Sequence, residues 1–237
     1  MALVVTKGYL INRQDYDVFD EILTFINEFG NRFTCFAPGV RKITSKNARA
    51  LIYGNYLEYE FFYSTKKMSR LKKVTTITAI DFKQSCSVAL TVVNDLLAFA
   101  HKFSRNLYAF YQEILAEVLL QKDEYILACY AFIKFIKISN LRFETKCCTK
   151  CYSEFDLITL SFARHGFVCQ NCMAFEPQFS KEELRLVKEL LDSENLNSLD
   201  KIIESCYEIN YEQMFKKLHY EWSNFKRTLI KRMKNKE

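Results

Sequence analysis

Two cysteine pairs near the middle of the chain constrain its fold more than any other feature of the sequence. Cys148-x2-Cys151 is followed, after seventeen residues, by Cys169-x2-Cys172. Two thiolates separated by two residues can bend around one ion, and a second such pair completes a tetrahedron of sulfur ligands. The spacing therefore predicts a structural zinc site held by Cys148, Cys151, Cys169 and Cys172.

Other interpretations of this cluster stay open from sequence alone. Cys147 could replace Cys148, although its spacing from Cys151 is poorer, and His165 is not included among the ligands. An iron–sulfur cluster uses the same ligand type, so spacing does not separate it from zinc. A redox-active pair is disfavoured because thioredoxin-like chemistry uses one Cys-x-x-Cys at the start of a helix. A closed four-cysteine shell leaves no open position on the ion, which argues against catalysis there.

The cysteine segment should form a small lobe at about residues 145–175. EFDLITLSF, between the pairs, alternates like a hairpin strand, and Gly166 is predicted to supply the turn before the second pair. Metal binding contributes roughly 10–16 kcal/mol in small zinc peptides, which is enough to decide whether such a lobe folds.

The pattern of residues 1–80 is typical of β-strands. NYLEYEFFY at 55–63 alternates with period two, and KKVTTITAI at 72–80 is rich in β-branched residues. RFTCFA at 32–37 ends at Pro38-Gly39, which is a turn signal. Five short strands in this span suit a small closed barrel better than an open sheet with a long edge.

From about Ser85 the hydrophobic period becomes helical, and three consecutive helices are predicted before the cysteines. After the cysteines, Ser180 and Glu183 form a capping box at a helix start. A short helix at 202–207 and a long basic helix from about Tyr211 follow. The chain is therefore expected to be a multidomain α+β protein, with a β-barrel domain at 1–80 and a helical domain at 81–237 that contains the zinc module.

The net charge of +6 is unevenly distributed, which hints at a polyanionic partner. Residues 1–79 carry +5, residues 80–214 carry −5 and residues 215–237 carry +6. Basic side chains beside aromatic strands predict a groove for single-stranded nucleic acid. The predicted contacts are Arg41, Lys42, Lys46, Arg49, Lys66, Lys67 and Arg70. Stacking candidates are Phe33, Phe36, Tyr56 and Phe62, although a core position is favoured for each of them taken singly.

Several classes of protein are disfavoured by what the sequence lacks. The sequence contains no uninterrupted run of eighteen apolar residues, so a membrane span is not expected. The N-terminus lacks the basic segment followed by an apolar segment that is typical of a signal peptide, so a cytoplasmic location is expected. No Walker-type phosphate loop, G-x-G-x-x-G, H-E-x-x-H or nucleophile elbow is found. We therefore expect a protein that is not an enzyme.

The order of these parts resembles the bacterial recombination mediator family RecO. FGNRFTCFAPGVRKITSKNARAL resembles the family's apolar strand followed by a small residue, Gly, basic residues and Ser. ISNLRFETKCCTKCYSEFDLITLSFARHGFVCQNC resembles its helix end, first cysteine pair, strand and second pair, with fewer glycines than relatives often have. The resemblance implies an N-terminal OB-fold, metal ligation by the four paired cysteines, and a basic loop that comprises Arg41, Lys42, Lys46 and Arg49.

The resemblance also implies a function and partners. RecO-like proteins bind single- and double-stranded DNA, anneal complementary strands, and act with RecR to load RecA onto strands coated by single-stranded DNA-binding protein. They also bind the acidic C-terminal tail of that coat protein. Two other functions stay open: a zinc-stabilised protein–protein adaptor, and an RNA-binding OB protein.

Overall fold

The computed structural model describes residues 2–100, 105–139, 142–192 and 208–234, and within them seven strands and six helices. The chain forms two compact units, Met1–Leu127 and Ala128–Glu237. The helix predicted at 202–207 lies outside the described residues. None of the helices in the described ranges combines the length and apolar character that crossing a membrane requires.

A closed barrel of five strands dominates the first unit. The strands are β1 (Ala2–Asp15), β2 (Glu21–Asn27), β3 (Arg32–Ala37), β4 (Tyr56–Tyr63) and β5 (Ser69–Thr78), and their order around the barrel is β1-β2-β3-β5-β4. All neighbours are antiparallel except β3 and β5, which run parallel and pair at only two positions. The closed barrel expected from the alternation is therefore present.

Strand β1 is long enough to pair with two neighbours, and Gly8 lies where it changes partner. Its first half pairs with β4 and its second half with β2, while Gly8 itself pairs with both Asn27 and Leu57. A Cβ atom at Gly8 would overlap the backbone carbonyl oxygen of Ile26. Only glycine fits this crossing, because β2 passes too close for any side chain.

The inside of the barrel is filled by stacked aromatic rings. The centroid of Phe33 lies 4.2 Å from that of Phe61 and 5.1 Å from that of Tyr59, and Phe25 lies 4.4 Å from Tyr59. On β4 the buried residues Leu57, Tyr59 and Phe61 alternate with less buried ones, as period two requires. The period-two alternation predicted from the sequence is therefore confirmed in β4.

Three helices complete the first unit. They are α1 (Phe82–Ser85), α2 (Val88–Phe99) and α3 (Arg105–Leu119). Helix α2 packs against both α3 and β1 through a face that includes Leu90, Val93 and Leu97. Because these helices pack onto the barrel, the compact unit extends beyond residue 80, and the domain boundary expected at 80 stays a prediction.

The second unit contains most of α4 (Glu124–Ile138), a two-stranded sheet and two further helices. The sheet pairs β6 (Leu157–Ser161) with β7 (Gly166–Cys169), and the helices are α5 (Lys181–Asp192) and α6 (Tyr211–Lys234). Trp222 of α6 is 1% exposed. Its ring contacts Phe135, Phe162 and Phe225 at centroid distances of 5.6 to 5.7 Å.

The N-terminus of α5 is capped as the sequence predicts. The backbone N–H of Ser180 donates to Glu183 Oε2 at 2.7 Å, and the N–H of Glu183 donates to Ser180 Oγ at 3.1 Å. The same carboxylate accepts from Lys217 Nζ at 2.6 Å, which ties α5 to α6. The capping box is confirmed, and it also fixes the packing of two helices.

Candidate metal centre and nucleic-acid surface

Four cysteine side chains converge in the second unit. The sulfur atoms of Cys148, Cys151, Cys169 and Cys172 all lie within 4.8 Å of one another. Those of Cys151 and Cys169 are 3.6 Å apart. A tetrahedral zinc ion with Zn–S bonds of about 2.3 Å separates its sulfur ligands by roughly 3.8 Å. The four sulfur atoms are therefore close enough together to hold a metal ion.

The first cysteine pair lies on a tight turn. The N–H of Tyr152 donates to the carbonyl of Cys148 at 2.9 Å, and the N–H of Lys150 points to Cys148 Sγ at 3.5 Å. Tyr152 adopts a positive φ of 61°, which reverses the chain directly after Cys151. The turn leaves both sulfur atoms of the pair on the same side of the backbone.

The second pair begins at the end of β7. Cys169 is the last residue of that strand, and its carbonyl accepts hydrogen bonds from the N–H groups of Cys172 at 3.0 Å and Met173 at 2.9 Å. As in the first turn, the residue after the second cysteine donates its N–H to the carbonyl of the first cysteine. Two similar turns that face each other are what a tetrahedral shell requires.

Backbone hydrogen bonds to β7 bring the two turns together. The N–H of Thr149 donates to the carbonyl of Phe167 at 3.0 Å, and the N–H of Phe167 donates to the carbonyl of Glu144 at 2.8 Å. The segment that carries the first pair thus lies beside the strand that carries the second. Sequence spacing alone could not reveal this pairing, because the segment is too short to read as a strand.

Gly166 does not supply the turn that the sequence predicted. It is buried as the first residue of β7, and the residue with positive φ is His165, at 56°. A Cβ atom at Gly166 would lie 2.5 Å from the carbonyl oxygen of Glu144 and 2.6 Å from Thr149 Cγ2. The prediction was wrong because this glycine is required by the close approach of the neighbouring segment, not by a turn.

The thiols are electrostatically unequal. Burial alone would raise the pKa of Cys148, but the backbone N–H groups of Cys169, Cys151 and Lys150 outweigh it and lower the pKa to about 6. Burial and the neighbouring thiols raise the pKa of Cys172 to about 12. Four thiolates this close repel one another, and a divalent cation would supply the positive charge that lets all four ionise.

An arginine that sequence reasoning missed braces the second turn. Arg164 Nη1 donates to the carbonyl of Cys172 at 2.9 Å, and Arg164 Nη2 lies 3.3 Å from Glu176 Oε1. The N–H of Ala174 donates to Glu176 Oε2 at 2.7 Å. No spacing rule marks an arginine between two cysteine pairs, so the sequence held no signal for this contact.

Two residues near the centre stay outside the group of four. Cys147 precedes Cys148 but is not among the sulfur atoms that converge. The ring of His165 packs edge-on against Phe225, with centroids 6.0 Å apart. This placement agrees with leaving both residues out of the predicted ligand set.

The basic residues predicted to contact nucleic acid are all exposed on the first unit. Residues 41–49 belong to the connection from β3 to β4, and Lys66 and Lys67 belong to the turn from β4 to β5. Arg41 Nη1 lies 3.1 Å from Asp15 Oδ1, and Lys42 Nζ lies 5.6 Å from the ring centroid of Phe19. The assignment of these residues as nucleic-acid contacts stays a prediction.

Asn47 fastens the basic loop to β5. Its Oδ1 accepts from the N–H of Val74 at 3.0 Å, and its Nδ2 donates to the carbonyl of Lys72 at 3.4 Å. The loop therefore lies along the strand that carries Arg70, Lys72 and Lys73. Sequence reasoning listed the basic residues of the two segments but missed the neutral residue that brings them together.

Arg70 lies between two aromatic residues on the outside of the barrel. It pairs with Phe36 on β3 and with Phe62 on β4, and residues paired across strands point to the same face. Phe62 in turn pairs with Leu3 on β1. We call Phe36, Arg70 and Phe62 the outer row; both phenylalanines in it are half-buried.

The other two stacking candidates are placed differently. Phe33 points into the barrel, where it packs against Phe25 and Phe61 and is partly buried. Tyr56 lies against Tyr9, with ring centroids 5.2 Å apart. Phe33 and Phe36 are both aromatic residues of one short strand, and hydrophobicity alone could not tell the inner from the outer.

Sequence comparisons with known proteins agree with one another. The family described as "Recombination protein O N terminal" matches residues 1–80. "DNA repair protein RecO" of Mycoplasma mycoides is 22% identical over 225 residues, which cover 85% of this chain and 90% of the relative. The proteins of the same description from Mycoplasma capricolum and Clostridium perfringens are 25% identical over 85% of this chain and 90% of the relative, and 26% identical over 73% of each chain.

Proposed function

We propose that this chain is a member of the RecO family, to whose N-terminal domain and full-length proteins it is similar, and that it serves DNA repair and homologous recombination as a mediator. In this role it binds and anneals single-stranded DNA and helps to load RecA onto strands coated by single-stranded DNA-binding protein. Its barrel is the OB-fold of the family, and residues 1–80 are its nucleic-acid-binding domain. RecR, double-stranded DNA and the acidic tail of the coat protein are further partners, and the cytoplasm, at the nucleoid, is its location.

The outer row is the observation that carries this proposal. A single strand needs cations along its phosphates and flat apolar surfaces against its bases. Arg70 provides a cation. Phe36 and Phe62, on either side of it, provide apolar surfaces. The loop at 41–49 is held to β5, the β-strand that carries Arg70, through Asn47. This loop adds four more cations beside β5.

A structural zinc ion completes the proposal for the second unit. Among the described residues, Cys148, Val168 and Cys169 form a small buried cluster around the two turns, with Leu157 and Cys172 packed against them. So small a core cannot stabilise a lobe by itself, and a four-thiolate zinc ion would supply the missing stability. The closed shell gives the ion no catalytic position, in keeping with a protein that is not an enzyme.

An annealing assay with complementary strands, bare or covered with coat protein, tests the function. We expect Arg70→Glu to slow annealing and weaken binding of single-stranded DNA, since each phosphate contact contributes about −0.7 to the slope of log affinity against log salt. Lys188→Glu makes the same charge change at an exposed position of α5 and should leave both unchanged.

Three outcomes would count against the proposal. Undetectable or salt-independent binding of oligonucleotides would favour the protein–protein adaptor. A preference for RNA over DNA of equal sequence would favour an RNA-binding protein, because discrimination requires contacts to the 2′-hydroxyl. An equal effect of Arg70→Glu and Lys188→Glu would show that net charge matters and the outer row does not.

A further inference from the structure

A solvent-open cavity of about 530 Å³ lies in the first unit, between the barrel and α3. Its volume falls within the range of about 300–1,000 Å³ that is usual for ligand sites. The lining residues are Tyr9, Glu28, Gly54, Tyr56, Thr78, Ile80, Tyr108, Gln112, Leu115 and Leu119. None of these residues belongs to the outer row or to the basic loop.

Three tyrosines give this cavity an aromatic wall. The ring of Tyr9 lies 5.2 Å from that of Tyr56 and 5.8 Å from that of Tyr108, measured between centroids. Tyr9 is held from behind by the buried ring of Tyr111, whose centroid is 4.7 Å away. Gln112 Nε2 donates to Tyr108 Oη at 3.4 Å, which fixes the third ring. The wall is therefore preformed.

The cavity carries a negative charge, whereas the chain as a whole is positively charged. Among the described residues that line it, Glu28 alone is charged, although the chain as a whole carries +6. Glu28 is exposed, and no ion pair with another described residue neutralises it. Burial raises the pKa of Tyr108 and of Tyr9, so their hydroxyls stay neutral at physiological pH. A phosphate group would be repelled by this cavity.

We propose that this cavity receives the guanidinium group of an arginine side chain presented by a partner polypeptide. Aromatic faces attract cations, and the flat guanidinium group can stack on a tyrosine ring while it donates two parallel hydrogen bonds to a carboxylate. Tyr56, the least buried of the three tyrosines, supplies the first contact, with Tyr9 and Tyr108 packed beside it, and Glu28 supplies the second. An ammonium group has no flat face to stack on a ring and no pair of parallel donors that matches the two oxygens of a carboxylate, which favours arginine over lysine.

An NMR titration of the full chain, with ring-labelled tyrosine, tests the proposal. The probes are three blocked tripeptides, Gly-Arg-Gly, Gly-Lys-Gly and Gly-citrulline-Gly; citrulline has nearly the shape of arginine without its charge. We expect the arginine peptide to shift the signals of Tyr9, Tyr56 and Tyr108 and to bind about tenfold or more tightly than the citrulline peptide. Glu28→Gln should abolish that preference.

Asp17→Asn is the matched control, since Asp17 is an exposed acid at the opposite end of β2 from Glu28. It should leave the preference for arginine intact. Equal binding of the arginine and citrulline peptides, no shift with any peptide, or an unchanged preference in Glu28→Gln would overturn the proposal. Tighter binding of the lysine peptide would overturn the guanidinium assignment, and tighter binding of free agmatine than of the arginine peptide would overturn the polypeptide source.

Discussion

At the scale of single residues, Cys148 and Cys147 are adjacent thiols with different surroundings. Cys148 is fully buried at the centre of the cysteine group, whereas Cys147 is half-buried and outside it. Their proximity in sequence makes them a matched pair, because substitution of either one removes the same atoms from the same segment.

We predict that replacing Cys148 and Cys151 together by Ser abolishes metal binding, whereas Cys147→Ser preserves it. Two lost thiolates should weaken zinc affinity by more than about 100-fold, since even indirect partners of a metal contribute about 10–100-fold. Metal content of the purified proteins, measured by mass spectrometry, decides the matter. Zinc in the double variant, or none in the wild type, would contradict the assignment.

A buried carboxyl group in the second unit should make stability depend on pH. Glu221 is 4% exposed. Burial, and the nearby charge of Glu176, raise its pKa from 4.5 to about 7, although Ser161, the backbone of Phe162 and Arg164 favour its charged form. The folded state therefore holds a proton that the unfolded state has lost between these two values, so this carboxyl group makes the fold less stable as pH rises from about 4.5 to about 7.

We predict that Glu221→Gln removes this dependence. Relative to the wild type, the variant should gain stability progressively as pH rises through that window, because glutamine keeps the hydrogen bonds and needs no proton. Urea denaturation followed by Trp222 fluorescence at several pH values measures the difference. A difference that stays constant across the window would sink this account.

At the scale of elements, the connection from β3 to β4 is organised by one neutral side chain. Asn47 makes two hydrogen bonds to the backbone of β5 and carries no charge of its own. Its removal changes where the cations at 41–49 lie without changing how many there are.

We predict that Asn47→Ala weakens binding of single-stranded DNA while the salt dependence per remaining contact is unchanged. The loss of two hydrogen bonds should also lower stability by about 1–3 kcal/mol. Asn31→Ala, in the exposed turn between β2 and β3, is the control and should affect neither property. Fluorescence anisotropy with a labelled oligonucleotide gives the affinities; wild-type affinity in Asn47→Ala would mean that the loop is not a DNA contact.

Sequence patterns predicted the elements better than the contacts between them. The alternation in β4 was recognisable because successive side chains of a strand point to opposite faces of the sheet. The two cysteine pairs were recognisable because one ion imposes a fixed spacing. In contrast, Gly166, Asn47 and Arg164 act through segments distant in the chain, and no local period encodes such a contact.

At the scale of the whole molecule, the single tryptophan reports on the unit that carries the metal centre. Trp222 is in the second unit, and its ring contacts Phe162, which follows β6 directly. The fourteen tyrosines of the chain are spread over both units. Tryptophan emission can therefore follow the second unit, and hydrogen exchange of the strand amides can follow the β-barrel.

We predict that a chelator unfolds the metal lobe and leaves the barrel intact. Loss of the ion should expose Trp222 and shift its emission to longer wavelength, since the small cluster around the cysteines cannot hold the lobe by itself. The strand amides of the barrel should keep the same protection from hydrogen exchange with or without metal. Removal of the metal without any change in tryptophan emission would show that the lobe folds unaided.

The junction of β3 with β5 has a consequence for the barrel itself. These strands meet at only two residue pairs, Cys35 with Ser69 and Phe36 with Arg70, so closure of the sheet there rests on few hydrogen bonds. Amide protons along this junction should exchange with deuterated solvent sooner than those between β1 and β2. Bases that lie on Phe36 and Phe62 would cover the junction and slow that exchange, so a bound strand would stabilise the very protein that holds it.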